Sequence, residues 1–308
     1  MRISFIIPVC NEKENIPVLY DRLSGVAKNI APYEVEYIFV DDFSTDSSFE
    51  ILKNISKNDK RVKLLKFSKN FGSHIAIIAG LSHASGDAAV VMSADMQEPP
   101  ELIPKLINRR KEGYEIVWAV REERDESKSK IFFANLYYFI MKKIALKNLP
   151  ISGSDMFLID RKVIDVVVSA KEKNSTIFGL VSWSGFNQAF IPYRRERRKF
   201  GRTKWTFPKQ LKLAIDSFVS FSYLPIRLSS YLGFFISFIG FLYALFIIIR
   251  GIFYKQAVAG WSSLMVVLLI VSGIQLLILG ILGEYLWRNL EESRKRPLFI
   301  VSERIGFD

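Results

Sequence analysis

Carboxylate and amide side chains follow a short apolar run near the middle of the sequence. Asp95 and Gln97 come directly after the run 90–92 and just before a helical pattern of apolar residues at 102–107. Ligands of open α/β sheets bind beyond the carboxyl ends of the strands, so an oxygen pair at this place could hold a hard divalent cation and a diphosphate. A turn that joins a strand to a helix and binds nothing would show the same pattern. This segment alone therefore leaves both interpretations open.

Two further acids occupy comparable positions. Glu12 follows the apolar run 3–7, and Asp42 follows the run 35–40. Carboxylates there could accept hydrogen bonds from a base N–H or a ribose hydroxyl. The sequence contains neither a Gly-x-x-x-x-Gly-Lys-Ser/Thr loop nor a Gly-x-Gly-x-x-Gly fingerprint. Binding of a nucleotide by acids and a cation, without a glycine-rich loop, indicates that the ligand is a nucleotide-sugar.

The order of the predicted elements brings these loops together. Apolar runs predict strands at 3–7, 35–40, 62–67, 88–92 and 115–120, with helices between them. Ser47 and Glu50 have the spacing of a capping box at the start of one helix. Such alternation is typical of a mostly parallel sheet covered on both faces, and right-handed crossovers place the strand-to-helix loops at one edge. We therefore expect residues 8–12, 41–46, 93–97 and Arg121 to line one crevice.

Composition limits the kind of partner. The chain has 308 residues, of which 50% are hydrophobic, and a formal charge of +12. This excess of positive charge indicates an anionic partner, either a nucleic acid or a membrane surface. Cys10 is the single cysteine, which excludes intrachain disulfides, and two histidines are too few for a histidine-rich metal site.

The positive charge is concentrated beside two long apolar segments. Residues 192–212 carry nine Lys and Arg, and 205–224 interleave lysines with aromatic and aliphatic residues, as an interfacial amphipathic helix does. Residues 228–249 and 261–283 contain no formal charge and are long enough to cross a membrane. Lys and Arg crowd before the first span and after the second, so the positive-inside rule predicts that both termini are cytoplasmic. A membrane is thus the expected anionic surface, and a nucleic acid is not.

Together these motifs resemble the GT-A-fold family 2 glycosyltransferases. The resemblance is to the polyprenyl-phosphate group, which is GtrB-like or similar to dolichol-phosphate-mannose synthase, and it runs from Ile3 to about Phe299. The motifs that carry it are Ile6-Ile7-Pro8-Val9-Cys10-Asn11-Glu12, Val40-Asp41-Asp42-Phe43-Ser44-Thr45-Asp46, Ser93-Ala94-Asp95-Met96-Gln97-Glu98-Pro99-Pro100-Glu101, Arg198-x-x-Gly201-x-Thr203-Lys204-Trp205, and Leu282-Gly283-Glu284-Tyr285 with Arg296-Pro297. It implies a Rossmann-like, mostly parallel α/β catalytic domain followed by interfacial amphipathic helices and two transmembrane helices.

The resemblance also implies roles for individual residues. The nucleotide-sugar would be bound by Pro8, Glu12, Val40, Asp42, Ala94, Asp95 and Arg121. Asp95 and Gln97 would hold Mg²⁺ or Mn²⁺, and Arg198, Arg202 and Lys204 would contact the lipid phosphate and the diphosphate. Asp155 falls where similar enzymes keep the aspartate of a Gly-Asp-Phe-Arg-Leu segment, which is the proposed catalytic base.

Two departures from the family pattern concern this site. Family members often have Asp-x-Asp-x-Gln, whereas this chain has Ser93 in place of the first Asp. One carboxylate fewer implies weaker metal binding or an additional water ligand. The Gly-Asp-Phe-Arg-Leu segment reads Ser154-Asp155-Met156-Phe157-Leu158, so an arginine is missing and Arg198 or Arg202 would take over its phosphate contact.

The resemblance predicts inverting transfer of a sugar to undecaprenyl or another polyprenyl phosphate, which would serve O-antigen or other cell-envelope glycans. UDP-glucose is the expected donor, with UDP-N-acetylhexosamine or GDP-mannose as alternatives. A catalytically impaired membrane scaffold is the competing hypothesis, motivated by Ser93. A processive synthase would carry Gln-x-x-Arg-Trp and more spans, and the sequence has neither.

The predicted organisation has four parts: a cytoplasmic catalytic domain at 1–204, an interfacial region at 205–227, two transmembrane helices at 228–287 joined by an external loop at 250–260, and a cytoplasmic tail at 288–308. The protein would lie in the bacterial inner membrane in contact with its lipids, and packing between its helices favours a homo-oligomer.

Overall fold

The computed structural model describes residues 1–122, 139, 141–143, 156–170, 172, 176–196, 216–217, 219–222, 224–254 and 260–307. The chain divides into two compact units, Met1–Phe218 with Pro297–Asp308, and Val219–Arg296. The C-terminal residues thus belong with the first unit, whereas the predicted organisation treated 288–308 as a separate tail.

The first unit is built on one eight-stranded sheet with the order β7-β5-β6-β4-β1-β2-β3-β8. Its strands are β1 (Arg2–Val9), β2 (Glu34–Asp41), β3 (Val62–Phe67), β4 (Ala88–Val91), β5 (Ile116–Arg121), β6 (Met156–Asp160), β7 (Gln188–Tyr193) and β8 (Val301–Ile305). The pairs β1–β2, β1–β4, β2–β3 and β5–β7 are parallel, and the three pairs that involve β6 or β8 are antiparallel. The mostly parallel α/β sheet is confirmed, and β6, β7 and β8 are additions to the five predicted strands.

Helices cover both faces of this sheet. α1 (Asn15–Asn29), α2 (Ser48–Asn58) and α4 (Ile103–Lys111) pack on one face, and α3 (Ser73–Ser82), α5 (Arg161–Ala170) and α6 (Ile177–Trp183) pack on the other. The apolar stripe of α1 is buried as its spacing predicts, and a 3₁₀ turn at Pro100–Leu102 opens α4. The central strands are predominantly apolar because both of their faces are covered.

The predicted capping box at the start of α2 is wrong. Ser47 makes no side-chain cap hydrogen bond, and the Asp46 carboxylate accepts the Ser48 N–H instead, at 2.9 Å. Ser48 is buried and its hydroxyl accepts the Glu12 N–H at 2.8 Å, so the helix start is shaped by the loop after β1. The local capping pattern was overridden by this tertiary contact.

The second unit contains two long apolar helices. α7 spans Leu224–Tyr254 and α8 spans Trp261–Ser293. Windows at Ile226–Tyr243 and Ile270–Ser293 are long and apolar enough to cross a membrane, and at most 6% of either window is buried. The first five residues of the predicted polar link belong to α7, which continues from Arg250 to Tyr254. These are two candidate membrane-spanning helices, as predicted.

Candidate active site

The carboxyl edge of the sheet has a switch point between β1 and β4. β2 and β3 follow β1 on one side, and β4 lies on its other side, so the loops after β1 and β4 diverge from neighbouring strands. Open α/β sheets bind ligands in the crevice at such a point. The loops that carry Glu12 and Asp95 border it, and β5 runs parallel to β4 because both pair antiparallel with β6. Arg121, the last residue of β5, is therefore at the same edge.

Asp42 is held by the loop that follows β3. Its Oδ1 accepts the Phe71 N–H at 2.6 Å and its Oδ2 accepts the Gly72 N–H at 2.9 Å. The Asn70 side chain donates to the Asp42 carbonyl at 3.1 Å. Burial raises the pKa of the Asp42 carboxyl, while the two N–H bonds oppose that rise. Each carboxylate oxygen has a second lone pair, so Asp42 is oriented by the loop and can still accept from a ligand.

The loops after β1 and β2 interlock. The Asn11 N–H donates to Ser44 Oγ at 2.9 Å, and the Asn11 side-chain oxygen Oδ1 accepts the Thr45 N–H at 2.7 Å. The Asn15 amide donates to the Glu12 carboxylate at 2.6 Å, which fixes Glu12 at the start of α1. The two acids predicted to bind the nucleotide thus lie on loops that support each other.

Strained backbone marks three of these loops. Asn11, Phe43 and Met96 have φ values of 51°, 61° and 58°, and they follow β1, β2 and β4 respectively. Residues other than glycine seldom adopt this backbone conformation, which costs about 1–2 kcal/mol per residue. Such strain persists where surrounding contacts enforce it, and it often accompanies binding sites.

The loop after β4 contains a compact group of oxygen atoms. The Ser93 hydroxyl donates to Asp95 Oδ1 at 2.7 Å and also contacts the carboxyl of Glu98, which is fully buried. The Gln97 N–H donates to Asp95 Oδ1 at 3.2 Å. Burial, and then the charge of Asp95, raise the pKa of the Glu98 carboxyl. Ser93 therefore links two carboxyl groups at the position where the family pattern has another acid.

Glu98 also faces the end of β7. Tyr193 Oη donates to Glu98 Oε1 at 3.4 Å, and Arg195 Nε lies 3.9 Å from the same oxygen. Burial, and then the Glu98 charge, raise the pKa of Tyr193 to about 12. The Arg121 and Arg195 charges lower the pKa of Glu98 and so favour its ionised form. Two guanidinium groups thus lie beside the Asp95 loop, where they could face a diphosphate.

A second set of ion pairs ties the segment after β7 to this loop. The Glu196 N–H donates to the Gln97 carbonyl at 2.9 Å. Arg22, on α1, donates to both Glu196 oxygens at 3.1 and 3.0 Å and to both Glu101 oxygens at 3.0 and 2.6 Å. Two carboxylates clamp one planar guanidinium, which fixes the chain immediately before residues 197–212, the basic segment that makes up most of the stretch 192–212.

Two of the predicted nucleotide contacts, Val40 and Ala94, offer little side-chain surface, whereas Pro8 is partly exposed. Pro8 and Val40 are partners in the β1–β2 ladder, Val40 is fully buried, and Ala94 is 3% exposed. Contacts from Val40 and Ala94 to a ligand would therefore come from their backbone. Their small or compact side chains let the backbone form the floor of the crevice.

Asp155, Arg198, Arg202 and Lys204 lie outside the described residues, as do 205–215 of the predicted interfacial region. The residue after Asp155 is described: Met156 begins β6 and pairs with Ala119 in β5. Phe157, which stands where the family has an arginine, is fully buried against Trp118 and Phe178. That position is part of the core in this protein and not a phosphate contact.

Several residues of the candidate site were not predicted from the sequence. Glu98, Tyr193 and Arg195 form the wall beside the Asp95 loop, and Phe71 with Gly72 supports Asp42. Glu98 and Arg195 lay within motifs that had been noted, but their proximity depends on β7 pairing with β5, which the sequence pattern did not predict.

The oxygen atoms present suit a hard divalent cation. Asp95 and Gln97 supply a carboxylate and an amide oxygen two residues apart, which are ligands that Mg²⁺ and Mn²⁺ accept. Within the part of the chain that the structure describes, no three His, Cys, Asp or Glu side chains cluster as a metal site. The ion would therefore take most of its ligands from a diphosphate and from water.

Comparisons with known proteins agree with this arrangement. Residues 4–168 match glycosyl transferase family 2. The chain is 44% identical over 309 residues to "Uncharacterized glycosyltransferase YkcC" of Bacillus subtilis (strain 168), covering 99% of this chain and 94% of that protein. It is 36% identical over 302 residues to the bactoprenol glucosyl transferase of Shigella phage SfV, covering 98% of each.

Among solved structures, mannosyl-3-phosphoglycerate synthase from Rubrobacter xylanophilus matches with a TM-score of 0.50 at 14% identity, covering 70% of this chain and 71% of that one. At this identity the likeness concerns the fold alone. The family match and the two relatives, which align along nearly the whole chain, carry the assignment. The chain belongs to glycosyl transferase family 2 and is a membrane-associated glycosyltransferase with a GT-A-type catalytic fold.

Proposed function

We propose that the protein transfers a sugar, with glucose as the first candidate, from a nucleotide-sugar to a polyprenyl phosphate such as undecaprenyl phosphate. The observation that carries this proposal is the presence, in one chain, of an acidic crevice at the sheet edge and two exposed apolar helices. A relative named bactoprenol glucosyl transferase aligns with 98% of the chain, helices included. The product would be a lipid-phosphate sugar for O-antigen or another cell-envelope glycan.

The nucleotide would occupy the part of the crevice formed by the loops after β1, β2 and β3. Asp42 and Glu12 would accept hydrogen bonds from the base or the ribose, over a floor made by the backbone of Pro8, Val40 and Ala94. The N–H bonds from Phe71 and Gly72 support this role because they fix the direction of the Asp42 carboxylate.

The diphosphate would lie beside the loop after β4. Asp95 and Gln97 would hold Mg²⁺ or Mn²⁺, which would neutralise the charge of the departing nucleoside diphosphate. Arg121 would add a fixed positive charge on the same side. This role is supported by the few protein oxygens in the loop, because a cation held by Asp95 and Gln97 would take its remaining ligands from the diphosphate and from water.

The acceptor phosphate would be bound by Arg198, Arg202 and Lys204, which follow Glu196 closely in sequence. Its second pKa of about 6 makes it largely a dianion at neutral pH, so it is already nucleophilic. Asp155 would then orient the reactants more than it removes a proton. A single displacement inverts the anomeric centre, so an α-linked donor would give a β-linked lipid phosphate sugar.

We further propose that the protein spans the bacterial inner membrane twice, with the catalytic unit and both termini in the cytoplasm. The pairing of β8 with β3 supports this topology, because the chain must return to the side on which the sheet folds. Alkaline phosphatase fused after residue 256 should be active, and fused after residue 307 inactive.

A homo-oligomer stays a prediction, and cross-linking in native membranes would test it.

The first experiment measures transfer from radiolabelled UDP- and GDP-sugars to undecaprenyl phosphate in detergent, with Mg²⁺, with Mn²⁺ and with EDTA. We expect transfer of one sugar, abolished by EDTA. Asp95→Asn should lose transfer. Asp165→Asn should transfer sugar as the wild type does, because this exposed acid lies on α5, which begins at the opposite edge of the sheet.

The alternatives predict other outcomes. UDP-N-acetylhexosamine or GDP-mannose as the preferred donor would change the sugar and leave the reaction class intact. Neither transfer nor hydrolysis of any donor would contradict the proposal and would favour a catalytically impaired scaffold.

A further inference from the structure

The segment that follows α8 returns to the edge of the sheet next to the predicted nucleotide loops. β8 pairs antiparallel with β3, with Phe67 opposite Val301 and Leu64 opposite Ile305. Because the two strands run in opposite directions, the residues before β8 lie at the carboxyl end of β3. Phe299 is therefore at the edge of the sheet that carries the site, and Phe307 is at the other edge.

Phe299 packs against the base of the loop 68–72. Its ring stacks on the ring of Phe67 with centroids 5.5 Å apart and an interplanar angle of 23°. The Ser68 N–H donates to the Ile300 carbonyl at 3.0 Å, and Ser302 Oγ donates to the Lys66 carbonyl at 3.1 Å. The end of β3 and the start of the loop are thus fixed by side-chain and backbone contacts from the C-terminal segment.

The loop then carries this support to Asp42. Phe67 is fully buried and meets the ring of Phe71 edge to face, with centroids 5.3 Å apart. The Phe71 and Gly72 N–H groups donate to the two oxygens of the Asp42 carboxylate. Gly72 has a φ of 93°, a conformation that only glycine adopts without strain, so the loop approaches the carboxylate through a defined turn. Two aromatic rings, those of Phe67 and Phe71, connect Phe299 to the N–H groups that orient Asp42.

We propose that Phe299 is a positioning residue for the donor site. It acts through Phe67 and Phe71 to hold the loop 68–72, whose N–H groups fix the direction of the Asp42 carboxylate. This inference rests on the proposed role of Asp42 in nucleotide binding. It makes the chain that emerges from α8 part of the support of the donor site, since Phe299 follows Ser293, the last residue of that helix, by six positions.

The same segment supplies a matched control. Phe307 makes comparable contacts, with His83 at 5.2 Å between ring centroids and with the cations of Lys63 and Arg304 at 5.4 and 4.9 Å from its ring. It lies at the opposite edge of the sheet. The ring of His83 neighbours both phenylalanines, since its centroid is also 6.4 Å from that of Phe299, whereas the stacking contact with Phe67 belongs to Phe299. Phe307→Ala therefore removes an aromatic neighbour of His83 and leaves the Phe299–Phe67 contact beside the loop 68–72 in place. Phe299→Tyr keeps the ring, and its hydroxyl can reach solvent because Phe299 is partly exposed.

The experiment uses the full-length protein in detergent. We expect Phe299→Ala to raise the KM for the sugar donor about threefold to tenfold, the effect of losing one aromatic pair. The value of kcat should change little, and the dissociation constant for UDP should rise in parallel. Hydrogen exchange of the Phe71 and Gly72 amides should accelerate in Phe299→Ala. Phe307→Ala and Phe299→Tyr should match the wild type in all of these measurements.

Each alternative outcome decides against one specific statement. Equal changes in Phe299→Ala and Phe307→Ala would show a general loss of stability and would overturn the positioning role. Unchanged exchange at Phe71 and Gly72 in Phe299→Ala would also overturn it. If the wild-type protein transfers no sugar, the proposed function fails, and the exchange measurement still decides whether Phe299 supports the loop.

Discussion

The clamp around Arg22 leads to a quantitative prediction about the acceptor. Its guanidinium binds Glu196, which directly precedes the basic segment, and Glu101, which lies in the 3₁₀ turn before α4. Glu196→Gln should loosen the chain that leads to Arg198, Arg202 and Lys204. Glu101→Gln removes one negative charge from the same guanidinium, but residue 101 is not adjacent in sequence to that segment.

The size of the effect follows from exposure and geometry. The Arg22 and Glu196 side chains are 21% and 37% exposed, and the Glu101 side chain is 56% exposed. Partly exposed ion pairs contribute about 0.2–1 kcal/mol, and the two-pronged geometry at Glu196 favours the upper end of that range. Since 1.4 kcal/mol corresponds to a factor of ten, a loss of about 1 kcal/mol predicts an increase of about fivefold in the acceptor KM.

The assay compares the acceptor and donor KM values of four proteins, namely the wild type, Glu196→Gln, Glu101→Gln and Arg22→Lys. We expect the acceptor KM to rise in Glu196→Gln and Arg22→Lys, and the donor KM to stay near the wild-type value in all four. The double mutant Arg22→Lys/Glu196→Gln, measured as a fifth protein, completes a double-mutant cycle that should show that the two effects are not additive.

Two results would refute this reasoning. One is an equal rise of the acceptor KM in Glu101→Gln, which would mean that the charge of the clamp matters and the anchoring of the segment does not. The other is full additivity in the double-mutant cycle, because it would mean that Arg22 and Glu196 act independently.

Three further predictions concern the core and the loop after β4. Ser93→Asp places a charge beside Asp95, where like-charge repulsion costs up to about 4 kcal/mol. The melting temperature of this variant without metal should therefore be lower than that of the wild type, and Mn²⁺ should raise it by more. Burial lowers the pKa of His74 to about 4. Protonation of this residue therefore favours the unfolded chain. The free energy of unfolding measured in urea should fall by up to about 3 kcal/mol as the pH drops from about 6.5 to about 4. His74→Gln should remove this contribution to the pH dependence. Gly80→Ala drives a methyl into β1 and should cost about 1–3 kcal/mol in the same assay, whereas Gly25→Ala meets no atom within 4 Å and should be neutral or slightly stabilising.

Local patterns predicted the half of the sheet in which strands and helices alternate. The stretches 3–7, 35–40 and 62–67 are predominantly apolar, and they correspond to β1, β2 and β3. The apolar spacing of α1 and α4 likewise predicted which residues are buried. Parallel strands covered on both faces leave this signal because nearly every side chain is inside.

The remaining strands lack such a signal. β7 alternates buried and exposed residues and contains Pro192, which is tolerated because the strand lies at the edge of the sheet. β8 alternates partly buried and exposed residues and carries two charges among its five, so its pattern is typical of a polar tail. Its pairing with β3 joins residues separated by more than two hundred positions, a contact that local patterns cannot predict.

For the candidate site, the sequence predicted which acids lie at the carboxyl edge of the sheet, and their binding roles stay predictions. The acids that follow β1, β2 and β4 were found because the order of the elements fixes their position. The contacts that orient them were not, since the N–H groups of Phe71 and Gly72 carry no side-chain signature. Glu98 was passed over because a glutamate in a loop is ordinarily solvated, whereas here Tyr193 and Arg195 cover it.

The position of β8 also determines how the catalytic unit could be produced without its membrane helices. A protein that ends before residue 219 would lack β8 and leave the N–H and C=O groups of β3 unpaired along an open edge, next to the rings of Phe67 and Phe71. Exposed strand edges of this kind promote aggregation. A soluble version should therefore join residues 297–307 to the catalytic unit through a flexible linker that replaces the two helices, so that the sheet is complete.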